Sequence, residues 1–97
     1  MVQAPTPEMK THRKRIDELD REIVALLGQR FDIVRKVAVH KKEHGIPSVL
    51  PDRIEQVKDN AAELGAPHNL DAKFMRDLYT VIIDYACSME DGVIDAD

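Results

Sequence analysis

Between Glu8 and His44 the apolar residues Ile16, Leu19, Ile23, Leu26, Leu27, Val34 and Val37 recur in steps of mostly three and four. That rhythm traces one stripe along a helix. No proline interrupts the stretch, and Gly45 and Pro47 stop it. After the loop GIPSVLP, Pro51 suits the first turn of a second helix running to about Leu64, which Gly65 and Pro67 end. Asn69 or Asp71 can cap a third helix from about Ala72 to Asp91, with Gly92 as its stop. Residues 1–7 carry Pro5 and Pro7 and no pattern, which predicts a disordered tail. No strand alternation is found, so the expected fold class is all-α: three helices, the first very long, in a single domain over residues 1–97.

The first helix is too long for a small globule. About 35 residues at ~1.5 Å each extend roughly 52 Å. A compact domain of this size is only about 35 Å across. A stripe that persists along such a helix is expected to pack against a second chain, giving an intertwined helical homodimer. A break near Gly28 and a monomeric bundle is the alternative.

Composition narrows the function. The chain has 97 residues, no Trp, and four Phe and Tyr together, which suits helices better than sheets. One cysteine, Cys87, excludes an internal disulfide and fits a reducing compartment. The start, MVQAPTPEMKTHRKR, has no apolar signal-like run, and no segment approaches a membrane span, so a cytoplasmic protein is expected. Residues 1–50 carry 10 Lys and Arg against 7 Asp and Glu, whereas residues 51–97 carry 4 against 11. A net charge of −4 argues against a nucleic-acid partner, while the basic half could attract a small anion.

Two cations fall where apolar residues belong. On a helical wheel with Arg30 as its origin, Leu19, Ile23, Val34, Val37 and Lys41 all fall within about 40° of it. Arg30 and Lys41 therefore share the apolar face, about 16 Å apart along the axis. Long side chains also snorkel from such faces, and Lys41 is near the helix end. An unpaired buried cation costs several kcal/mol, so each needs a carboxylate from elsewhere or an anionic ligand. Arg53 stands in the first turn of the second helix, where the helix dipole does not favour a cation. Arg13 lies about 25 Å before Arg30, too far to share a small site within one chain. On the third helix Tyr79, Ile83, Ala86, Cys87 and Glu90 share a face, Glu90 being an acid in an otherwise apolar row. His40 and His44 have the spacing of a metal pair, but no HExxH pattern or neighbouring cysteine supports one, and no metal is expected.

The residues R-x-x-I-D-x-L-D-x-x-I-V-x-L-L-x-x-R (Arg13 to Arg30), then Lys41, then P-x-R (Pro51 to Arg53), then L-D-x-x-F with I-I (Leu70 to Phe74, Ile82–Ile83) resemble the all-helical class of chorismate mutases. The resemblance implies a dimer of three-helix chains with the activity chorismate to prephenate. It implies that Arg13 reaches the partner chain's site, that Arg30 and Arg53 complete the binding of two substrate carboxylates, and that Lys41 donates to the ether oxygen of the breaking bond. Glu90 falls where many relatives carry Gln, facing the same oxygen. Ile83 and Ala86 would line the substrate's apolar wall. The rearrangement is intramolecular and needs no cofactor. Arginine forks bind carboxylates bidentately, and lysine is a compact donor to a single oxygen.

Two positions depart from the family pattern. Ile54 stands where many chorismate mutases carry Glu to hold the C4 hydroxyl, and isochorismate pyruvate-lyases of the same fold are also apolar there. Glu90 replaces Gln, and a carboxyl donates only when protonated. The stretch GIPSVLPDRIEQVKDNAA with the late C-x-x-E-D also resembles mutases acting on 4-amino-4-deoxychorismate. A helical module binding a protein or nucleic acid through its basic first helix is the competing class. It requires the basic residues on the exposed face, whereas Arg30 and Lys41 lie on the apolar one. A relative that has lost catalysis is disfavoured because the matching charged residues all survive.

Overall fold

The structure, a computed structural model, describes residues 4–96. Three α-helices, α1 (Pro7–His44), α2 (Pro51–Gly65) and α3 (Ala72–Ile94), account for most of them, with a short 3₁₀ turn at Ala66–His68 before α3. No strand occurs among the described residues. The chain divides into two units, one ending at Asp32 and the other beginning at Ile33.

In the first unit, helix α1 begins at Pro7, one residue before the expected start at about Glu8. Thr6 Oγ1 accepts the Met9 amide at 3.2 Å and so satisfies one of the orphan donors of the first turn. Pro7 takes the first helical position, where its missing N–H is no loss. Of the expected disordered tail, residues 1–3 lie outside the described residues, and Pro7 belongs to the helix. The α1 helix is continuous through Gly28, where no break occurs. The apolar stripe expected to be buried is open in the single chain: Ile16, Leu19, Ile23 and Leu26 are all exposed, Leu26 by 62%.

In the second unit, α1 ends in a Schellman motif. Gly45 adopts φ +65°, a conformation glycine enters at little cost. The Ile46 amide then reaches back to the Lys41 carbonyl at 2.9 Å. Lys41, Lys42 and His44 in the last turn complement the helix dipole. Pro51 opens α2, as its fixed φ favours, and Leu50 at the cap position makes no side-chain cap bond. Asn69 in the left-handed region closes the 3₁₀ turn, and Asp71 Oδ2 caps α3 by accepting the Phe74 amide at 2.9 Å.

Helices α2 and α3 pack through small residues. Ala61 and Gly65 are buried on α2, and Met75 is buried on α3. Arg76 joins the same pair from outside, reaching Glu55 at 2.9 Å and also Asp59. Ala38 is the buried residue of α1. The expected stop at Gly92 does not occur, for α3 continues to Ile94. Glycine stops a helix when the chain needs a positive φ there, and Gly92, unlike Gly45, has none.

The two glycines of α2 and α3 respond oppositely to a methyl group. A Cβ at Gly65 would lie 2.8 Å from Met75 Cγ and 3.1 Å from Leu70 Cβ, whereas one at Gly92 meets nothing within 4 Å. Overpacking of about 1–3 kcal/mol outweighs the helix gain at Gly65, but a gain of about 0.5–1 kcal/mol stands alone at Gly92. Urea unfolding is therefore expected to give a lower midpoint for Gly65→Ala and a higher one for Gly92→Ala. A Gly65→Ala chain as stable as the parent would mean that Met75 swings aside freely.

Candidate functional site

Within the second unit, the end of α1, the loop after it and the end of α3 converge on one charged cluster. The Schellman turn leaves Lys41 one turn before the helix end, and its Nζ lies 3.1 Å from Glu90 Oε1. Both side chains are almost fully removed from water, 12% and 7% exposed. Two such charges lose several kcal/mol of hydration each, which their attraction offsets only if their other valences are also satisfied. Lys41 Nζ meets that condition by donating also to the Ser48 carbonyl at 3.0 Å. No buried side-chain nitrogen or oxygen among the described residues lacks a partner.

Charge at the helix ends explains why the cations come from α1. Glu90 and Asp91 lie near the C-terminus of α3, whose dipole disfavours anions, and its last turn holds no basic residue. Lys41 pairs with Glu90, and Lys42 Nζ donates to the Ala96 carbonyl just beyond α3. The adjacent Ser48 hydroxyl donates to Asp91 Oδ1. Ile83 and Ala86, at helical spacing before Glu90, are buried and give this face of α3 an apolar surface.

The predicted residues divide accordingly. Lys41 and Glu90 come together, and the carboxylate that Lys41 needed is Glu90, with Ile83 and Ala86 on the same buried row of α3. Ile54 is half-buried one turn into α2. Arg53 is exposed, and its Nη1 donates to Gln56 Oε1 at 2.7 Å along the same helix. Arg13, exposed, and Arg30, half-buried, lie in the first unit. His40 and His44 stack on one another with ring centroids 4.1 Å apart, and His44 Nδ1 pairs with the His40 carbonyl at 2.9 Å. Among the described residues no group of His, Cys, Asp and Glu could hold a metal ion. No helix there is long and apolar enough to cross a membrane.

Sequence reasoning missed Ser48 and Asp91. The faint signal for Ser48 is a small hydroxyl residue between Pro47 and Val49 in a loop that must return closely past Lys41. Cys87 borders the cluster, with Sγ 4.0 Å from the Ser48 carbonyl. Burial pushes its thiol above the ordinary range; the Glu90 carboxylate adds to the shift and the Lys41 ammonium opposes it. The thiol is therefore neutral at neutral pH and slow to react. Iodoacetamide is expected to alkylate Cys87 more slowly than free cysteine at the same pH. Glu90→Gln, which removes a charge that raises the thiol's pKa, is expected to quicken the reaction. An equal or slower rate in that variant would mean that Glu90 does not act on the thiol.

The sequence profile of the family described as "Chorismate mutase type II" matches residues 12–91. The chain is 38% identical over 87 residues to a 4-amino-4-deoxychorismate mutase of Streptomyces venezuelae, covering 90% of this chain and 84% of that protein. It is 32% identical over 73 residues to a chorismate mutase of Methanocaldococcus jannaschii, covering 75% and 74%. It is 34% identical over 74 residues to an isochorismate pyruvate lyase of Pseudomonas aeruginosa, covering 75% and 71%.

Proposed function

The chain belongs to the chorismate mutase type II family, and from that premise we propose that it is an isomerase that rearranges chorismate to prephenate as a cytoplasmic homodimer, with residues 1–97 acting as one domain. The observation that carries this reading is the nearly buried Lys41–Glu90 pair against the apolar row of Ile83 and Ala86. In the rearrangement one C–O bond breaks and one C–C bond forms within the same molecule, so nothing is added or released. The protein has to hold a flexible dianion in a compact geometry and stabilise the negative charge growing on the ether oxygen. Lys41 donates to that oxygen, and Glu90, when protonated, donates from a second side. Arg30 and Arg53 bind the two carboxylates through their planar forks. Arg13 reaches the site of a second copy.

The dimer is supported by the exposed stripe of α1. Ile16, Leu19, Ile23 and Leu26 are open in one chain, and an apolar row of that length is expected to be covered in water. A second copy offers the same row in return, which a two-fold interface requires.

A second reading, rearrangement of 4-amino-4-deoxychorismate, is favoured by Ile54. Ile54 is apolar and half-buried in the first turn of α2, and the resemblance implies that many chorismate mutases carry at this position a Glu that holds the C4 hydroxyl. The same bonds break and form, so the roles of Lys41 and Glu90 are unchanged. The substrate is decided by incubating the pure protein separately with chorismate, 4-amino-4-deoxychorismate and isochorismate, and identifying products by mass and absorbance. Turnover of none would remove the enzymatic reading.

Arg30→Ala is expected to cost at least about 2–4 kcal/mol of transition-state stabilisation, the scale of a lost buried charged contact. A loss under about tenfold in kcat/KM would make Arg30 structural. Glu90→Gln, which keeps a hydrogen-bond donor at this position, is expected to retain more kcat/KM than Glu90→Ala. Equal losses in the two variants would sink a donor role for Glu90.

A further inference from the structure

Ser48 is buried in a loop whose neighbouring Pro47 and Val49 are exposed. It bonds in two directions. Its hydroxyl donates to Asp91 Oδ1 on α3, and its main-chain carbonyl accepts from Lys41 Nζ at 3.0 Å. The start of the same loop is tied to Lys41 again, through the Ile46 amide and the Lys41 carbonyl at 2.9 Å. Lys41 is thus bonded at both its backbone and its ammonium to one short segment. A buried hydroxyl joins that segment to the residue next to Glu90.

We propose that Ser48 and Asp91 are positioning residues for Lys41, the hydroxyl–carboxylate bond seating the loop so that the Ser48 carbonyl aims the Lys41 ammonium at the reacting oxygen. This deepens the functional reading above and rests on it. An ammonium has three N–H groups in fixed tetrahedral directions. Two are committed, to Ser48 O and Glu90 Oε1, and together they fix the direction of the third. Four freely rotating bonds otherwise let a lysine wander, and ordering it during the reaction would raise the barrier. A carbonyl fixed before substrate arrives removes that cost. Besides the ammonium it aims, that carbonyl meets the Cys87 thiol at 4.0 Å, a weak contact. Its placement falls to the Ser48 hydroxyl and its acceptor on α3.

The test combines kinetics with a direct view of Lys41. In Ser48→Ala and in Asp91→Ala, kcat is expected to fall by about ten- to hundredfold, the scale of a misplaced rather than deleted group, with KM little changed. The double variant is expected to be no worse than the weaker single variant, because both remove one device. Asp91→Asn, whose amide oxygen still accepts the hydroxyl, is expected to keep most of the activity. In nitrogen-15 spectra the Lys41 ammonium signal, protected from exchange by its two bonds, is expected in the parent and in Asp91→Asn and is expected to broaden in both alanine variants. An unchanged kcat and Lys41 signal in Ser48→Ala overturns the proposal. So do losses that multiply in the double variant, a parent with no protected Lys41 signal, or variants that lose thermal stability alone. A parent chain that turns over none of the three substrates removes the functional reading, and the Lys41 signal then still decides whether the loop seats the ammonium.

Discussion

Everything that gives this chain chemical character depends on keeping the Lys41 ammonium beside the Glu90 carboxylate with little water between them. The pair is 3.1 Å apart and nearly buried. Such a pair is at best energetically neutral unless its remaining valences are filled. That condition makes demands on the rest of the second unit. Helix α1 has to end soon after Lys41, so that the chain can turn and offer a carbonyl to the ammonium. Helix α3 has to run far enough to carry Glu90 to the same point, while Ile83 and Ala86 keep the intervening row apolar. At the other end of α3, about 22 Å from Glu90 along the axis, small residues of α2 let those two helices pack, and Gly65 leaves no room for a methyl group beside Met75.

The helices were legible because proline and glycine punctuate them, and the misread end lies at one of those marks. Gly45 and Gly92 look alike in the sequence, yet one ends a helix and the other does not. What ends α1 is a backbone at φ +65° with the Ile46 amide folded back onto Lys41. That geometry is set by where the following chain must go, which a single residue type does not state. Pro7 shows the converse. Apolar rhythm cannot reveal a first turn that faces water, whereas a threonine cap followed by proline holds it without any buried surface. The exposed stripe of α1 is a third case. Its spacing announced a buried face, but burial depends on what covers it, and within one chain Ile23 and Leu26 stay open.

The site was legible as far as side chains speak through their own position on a helix. Lys41 betrayed itself as a cation on an apolar line, and Glu90 as an acid in an apolar row. Each oddity was half of the same pair. Ser48 and Asp91 were hidden for a physical reason: Lys41 binds a main-chain carbonyl at position 48, and every residue type carries one. Only the hydroxyl that seats this carbonyl differs between amino acids, and a serine in a loop is too common to attract notice. Arg13 and Arg30 are the opposite case, prominent in the motif but belonging to the first unit.

The valence count of Lys41 also bears on which part of a dianion it can serve. A carboxylate is best held by two parallel donors, as an arginine fork provides. With two of its three N–H groups committed to Ser48 and Glu90, Lys41 can offer a ligand only one hydrogen bond without breaking the pair. One directed bond is poorly matched to a carboxylate and well matched to a single oxygen on which charge is growing. In the proposed reaction, recognition and catalysis would thus be separate tasks: fixed negative charge on the substrate would fall to arginines, and the charge that appears only in the transition state to a lysine already held by two bonds.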